Sequence, residues 1–144
     1  MPKPKELPNI EIIKNRLYWS SGNKPPTSTS EAYFFSVDDE LVHDPFNDDF
    51  GPLNLAQVHK YIRELVRLLV DPEYKGMKLY HYCGDQYDKQ ANGAFLMGCF
   101  MMQVLKMKSE RVWKTFESYQ SIVIPYRDAS YGDCNFPCTL LNCW

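Results

Sequence analysis

No apolar run in these 144 residues approaches the ~20 that a membrane-crossing helix requires. The opening MPKPKELPNI carries charge with no apolar block behind it, which is not the pattern of a secretory signal. Basic surplus is also missing. A formal charge of −2 excludes nucleic-acid binding that relies on a broad cationic surface. Five cysteines, at 83, 99, 134, 138 and 143, are an odd number and give no even disulfide framework. Reduced thiols are therefore expected, and with them a place in the nucleus and/or the cytoplasm. Cys134, Cys138 and Cys143 lie close in sequence, but a second close thiol pair is absent and His43, His59 and His81 are scattered. Zinc sites need four such ligands, so neither a metal nor another cofactor is expected. Internal repeats are absent as well.

What remains is a chain that is 44% hydrophobic and 15% aromatic, enough for one domain with a respectable core. Residues 1–14 are expected to be a mobile N-terminal segment, with one domain over 15–144. A strand is predicted around Arg16–Ser20, a loop over 22–31 with Pro25 and Pro26 blocking regular structure, and a second strand over AYFFSV, 32–37. After an acidic connection over 38–54, Leu55, Val58, Ile62, Leu65, Val66 and Leu69 recur at helical spacing. Asn54, with Gln57 three residues on, has the form of a capping box. MKLYHYC, 77–83, reads as a buried strand. A helix is predicted from near Asp88, burying Ala91, Ala94, Phe95, Gly98, Met101, Met102 and Leu105. Ser109 is a candidate cap for a short helix through Val112, Trp113 and Phe116. YRDASYGDCNFP, 126–137, is turn-rich, with Asp128 expected to shape the turn. Pro137 suits a first helical turn, so CTLLNCW reads as the start of a last, truncated helix. Seven residues are too few for a stable isolated helix, so its order must come from packing. Strands alternating with helices indicate an α/β domain, a central mixed sheet flanked by helices.

Cys83 ends a buried strand and is followed by a polar loop and a helix. That junction is where backbone N–H groups and a helix dipole can cradle an oxyanion and lower a thiol pKa. The cysteine-phosphatase signature there is His-Cys, five residues, then Arg and a hydroxyl residue. Counting from Cys83 through Gly84, Asp85, Gln86, Tyr87 and Asp88 arrives at Lys89. The spacing survives and the chemistry does not. Tyr82 precedes the cysteine, Lys89 stands where a forked guanidinium is needed, and Gln90 replaces the hydroxyl. Asp85 and Asp88 add two negative charges to a loop meant for a dianion. No catalytic residue is expected, and residues 83–89 are read as a degenerate phosphate loop.

NRLYW (15–19), DDFGPLNLAQVHKY (48–61), DKQANGAFLMG (88–98) and IPYRDASYGDCNF (124–136), in that order, resemble the N-terminal domain of the cell-division-cycle-fourteen family of dual-specificity phosphatases. The resemblance implies a dual-specificity-phosphatase-like fold that is itself non-catalytic. It implies a second, catalytic domain as a partner, here absent, carrying a working Cys-x5-Arg loop. It further implies phosphoprotein substrates, with phosphoserine followed by proline and a basic residue beyond, and roles in mitotic exit and cytokinesis. Acidic residues crowd the segments flanking FGPLN. Asp38, Asp39, Glu40, Asp48 and Asp49 are candidates for a groove wall that receives the basic residue of a substrate, against the plainer reading of a solvated acidic loop. Two other readings carry distinct expectations: a stand-alone pseudophosphatase that binds or scaffolds partners, and a small active cysteine phosphatase using Cys83.

Overall fold

The computed structural model describes residues 7–144. Four strands form a single mixed sheet: β1 (Ile10–Ile13), β2 (Leu17–Gly22), β3 (Ala32–Phe35) and β4 (Lys78–Gly84), in the order β1-β2-β4-β3. β1 runs antiparallel to β2, while β4 lies parallel to both β2 and β3. Helices α1 (Leu55–Val70), α2 (Tyr87–Gln103), α3 (Ser109–Thr115) and α4 (Leu140–Cys143) complete the domain. The mixed α/β architecture agrees with the sequence-based expectation.

Register explains the core. Leu17 pairs with Leu79, Trp19 with His81 and Ser21 with Cys83, so these residues share one face of the sheet. Leu17, Trp19, Leu79, His81 and Cys83 are all fully buried there. α1 covers this face with Val58, Tyr61, Leu65 and Leu68, and its Asn54–Gln57 capping box is present with both hydrogen bonds. On the opposite face Tyr18, Tyr80 and Phe34 stack across three strands, with centroids 4.7 and 4.5 Å apart. Arg16 ties the back of the domain together. Its guanidinium donates to the carbonyl of Leu69 in the last turn of α1 and to those of Tyr74 and Met77 in the connection to β4.

Four expectations need correction. Residues 10–13 are not part of a mobile segment, because β1 forms there and buries Ile10 against the core; residues 1–6 lie outside the described region. α2 is buried nearly all round rather than along one stripe. Gly93, Leu96, Met97 and Phe100 join the expected residues, because the helix is sandwiched between the sheet and α1 on one side and α3 and α4 on the other. Ser109 is the first residue of α3, and its side chain caps nothing there. α4 starts at Leu140 rather than near Pro137, because Thr139 and Asn142 form a capping box two residues later. The order of this short helix does come from packing. The Trp144 indole donates to the Phe95 carbonyl and lies against Gly98, where a Cβ would fall 2.2 Å from the ring.

Candidate functional site

The carboxyl ends of β2, β3 and β4 open on the edge of the sheet where ligands of α/β proteins generally bind. Cys83 sits on that edge, yet its side chain is turned away from it. A Cβ on Gly93 would lie 3.2 Å from the Cys83 sulfur and 3.4 Å from Trp19 Nε1. The thiol therefore rests beside the second turn of α2, behind the helix N-terminus, with no exposed surface. Burial is the main reason its pKa lies far above the ordinary thiol range, and the nearby Asp38 carboxylate adds to it.

The five residues after Cys83 do not form a cradle. Gly84 belongs to β4, and Tyr87 and Asp88 belong to the first turn of α2, which leaves Asp85 and Gln86 as the whole junction. The Gly84 N–H is already taken: it donates to Asp38 Oδ2 at 2.7 Å. Lys89 turns its ammonium to the Asp38 carbonyl, 2.7 Å away. Gln90 reaches across to Ser21, whose hydroxyl donates to the Gly84 carbonyl. The Gln86 side chain lies over Gly84, so closely that a Cβ there would meet its Oε1 at 2.3 Å. Asp38 thus places a carboxylate of the protein itself where a phosphate loop would present amides to its ligand. Burial holds that carboxyl above its usual pKa, against the opposing pull of the Gly84 N–H and Lys89.

Of the remaining degenerate-loop residues, Asp85 is exposed, and Tyr87 is 52% exposed with its ring edge-on to Phe50. Asp88 and Lys89 line a cleft of about 130 Å³ together with Asp38, His43, Asp49 and Asn92. That volume is below the ~300 Å³ at which small-molecule sites usually begin. His81 is no substitute base. Burial lowers its pKa to about 3, its Nδ1 is engaged by the Tyr61 hydroxyl at 2.7 Å, and it lies within the core. At this edge the thiol is buried, the Gly84 amide is already capped, and Lys89 stands at the position where the phosphatase signature has its arginine.

The acidic candidates divide by what they touch. Asp49 is 8% exposed and accepts from His43 Nε2 at 2.6 Å and from the N–H groups of Phe46 and Asn47, each at 2.9 Å. The His43 hydrogen bond foremost lowers its pKa to about 2. Asp38 is therefore spent on the protein's own backbone, and Asp49 on His43 and the backbone of its own loop. Glu40 lies at the surface paired with Lys60 at 2.6 Å, Asp48 at the surface 3.6 Å from Arg127, and Asp39 is exposed. Asp128 shapes its turn as expected, accepting from the Ser130 N–H and hydroxyl.

Sequence reasoning missed Asn92 and Tyr126. Asn92 donates to the Phe50 carbonyl at 2.8 Å and accepts from the Tyr126 hydroxyl at 2.9 Å. Gly51 lets both side chains approach, since a Cβ there would sit 2.4 Å from Asn92 Oδ1 and 2.5 Å from the Tyr126 ring. FGPLN, QANGAF and PYRDAS therefore meet at one point beside the cleft. Among the described residues no group of three or more His, Cys, Asp or Glu is placed to hold a metal ion, and no helix is long and apolar enough to cross a membrane.

The fold and its closed edge define a phosphatase-like α/β domain with a degenerate cysteine loop. Residues 11–144 match the family described as the N-terminal half of dual specificity protein phosphatase, and the chain belongs to that family. Among relatives, it is 42% identical over 132 residues to the dual specificity protein phosphatase CDC14C of Symphalangus syndactylus, covering 92% of this chain and 27% of that protein. It is 40% identical over 135 residues to CDC14A of Homo sapiens, covering 92% of this chain and 23% of that protein. It is 28% identical over 131 residues to the tyrosine-protein phosphatase CDC14 of Saccharomyces cerevisiae, covering 91% of this chain and 24% of that protein. The chain thus spans less than a third of the length of these relatives.

Proposed function

We propose that this chain is the substrate-recognition half of a dual-specificity protein phosphatase, inactive by itself and dependent on a separate catalytic domain. The supporting observation is the pairing of a family match over 11–144 with a Cys83 that is fully buried. The substrates are phosphoproteins with phosphoserine followed by proline and a basic residue beyond, in cell-cycle control at mitotic exit and cytokinesis, within the nucleus or cytoplasm. Recognition falls to the carboxylates that the fold leaves at the surface. Asp39, Glu40 and Asp48 receive the basic residue, while Asp38 and Asp49 hold the edge in shape. Carboxylates in such a wall contribute orientation and encounter rate more than affinity.

A chimera tests this. The chain is joined to the part of human CDC14A that lies beyond the matched region and assayed on a phosphoserine-proline peptide with a lysine downstream. The isolated chain is expected to be inactive and the chimera active. In the chimera, Asp39→Lys with Glu40→Lys should raise KM several-fold at constant kcat. Turnover by the isolated chain that disappears in Cys83→Ser would refute the inactive half, and an unchanged KM would refute the acidic wall.

A further inference from the structure

We infer that Cys138 and Cys143 form a reversible oxidation site, a dithiol that takes two electrons' worth of oxidation from a hydroperoxide and closes to a disulfide. This goes beyond the recognition role and does not depend on it. The Sγ atoms of the two residues lie 3.5 Å apart, both half-buried and both reduced. Their proximity is fixed by the backbone at each end. Cys138 is clamped in a two-way bridge to Tyr126, with both N–H···O distances 2.8 Å. Cys143 closes α4, whose start is fixed by the reciprocal Thr139–Asn142 box. The backbone that carries the two thiols is thus held by hydrogen bonds at both ends, and the fold keeps the sulfurs within reach of each other. Cys134 belongs to the same cysteine-rich stretch but makes no such contact, which singles out one pair from the three.

The chemistry balances with the hydroperoxide as sole oxidant. The Cys138 sulfur attacks the terminal peroxide oxygen; the O–O bond breaks, water or an alcohol leaves, and Cys138 becomes a sulfenic acid. The Cys143 sulfur then attacks the Cys138 sulfur; the S–S bond forms, the S–O bond breaks, and a second water carries away the oxygen and the protons. Burial raises the Cys143 thiol pKa, with the neighbouring Cys138 adding to it, which slows Cys143 toward the peroxide and leaves the first attack to Cys138. The product ties α4 to the bridge at Tyr126. Because Tyr126 in turn holds Asn92, and Trp144 follows Cys143 onto α2, the crosslink stiffens the end of the domain that packs behind the cleft.

The test exposes the protein to hydrogen peroxide, unfolds it, alkylates the remaining thiols and maps the products by mass spectrometry without reduction. Loss of two hydrogens from the peptide carrying Cys138 and Cys143 is expected, with alkylation falling from five thiols to three. Dithiothreitol should restore all five, and Cys134→Ser should leave the bond intact. Cys143→Ser should instead stop at a Cys138 sulfenic acid that dimedone traps. Five alkylated thiols after peroxide, a bond to Cys134, or no dimedone adduct in Cys143→Ser would each overturn the assignment.

Discussion

The junction after β4 and the loop around Asp49 are the two ends of one contrast. The junction keeps the cysteine and the spacing of a catalytic loop, yet its polar groups are turned inward on one another. The Asp49 loop carries no catalytic spacing, yet its carboxylate gathers three hydrogen bonds. Asp38 accepts one backbone N–H in a site that penalises its charge, so its pKa rises; Asp49 accepts three bonds, so its pKa falls. The balance between burial and hydrogen-bond donors decides whether a loop carboxylate steadies the fold as an anion or is carried in spite of its charge. Motif spacing says little about either.

The largest effect should come from the packing around Cys83. Gly93→Val pushes a branched side chain into the sulfur 3.2 Å away and should cost about 1–3 kcal/mol, the usual range for overpacking. Cys83→Ala should recover part of that loss in the double variant, read by urea denaturation; additive losses would show that the two positions do not share a contact. Cys83→Ser by itself buries a polar hydroxyl in the core, with the Ser21 side chain as its polar neighbour, and should cost about 1–3 kcal/mol. Its melting curve would expose a misplaced side chain if it matched the parent's.

Asp49→Asn should lower Tm by a smaller amount, and only where the carboxylate is ionised. A pKa lowered from 3.8 to about 2 in the folded state contributes stability that is present above pH 3.8 and lost as pH falls through about 2. Parent and variant should therefore differ at pH 7 and converge below pH 2; a gap that persists there would assign the loss to shape rather than charge. Asp38→Asn should show the smallest effect, and with the opposite sign. Its folded carboxyl holds its proton more tightly than the unfolded one does, so its contribution declines as pH rises through the ordinary carboxylate range. The variant should be as stable as the parent at pH 7 or slightly more so, and thermal melts in which it is clearly weaker would mean that the Gly84 contact needs the charge.

Much of this was legible in residue order. The Asn54–Gln57 box, the β4–α2 junction and the turn at Asp128 rest on local chemistry, and each lies where its sequence signal puts it. The degenerate loop was legible for the same reason, since Lys89 and Gln90 stand at fixed offsets from Cys83. What stayed hidden depends on contacts between distant segments. Asp38 meets Gly84 46 positions away, Asn92 meets Phe50 42 positions away, and Tyr126 meets Asn92 34 positions away. No periodicity encodes such pairs. Asp49 was grouped with the surface acids because composition cannot show which carboxylate turns inward. β1 was missed because a four-residue strand is held by its pairing with β2, not by any pattern of its own.

The central claim is that Cys83 is part of the core and not a nucleophile. It is tested most directly by the rate at which iodoacetamide labels Cys83 at mildly acidic pH, in the folded protein and in urea, with the site read by peptide mass. The folded chain should protect Cys83 almost completely while the unfolded chain labels at the rate of an ordinary thiol. Labelling of the folded chain faster than that of the unfolded one would mean an exposed, low-pKa thiolate at the end of β4 and would contradict the account.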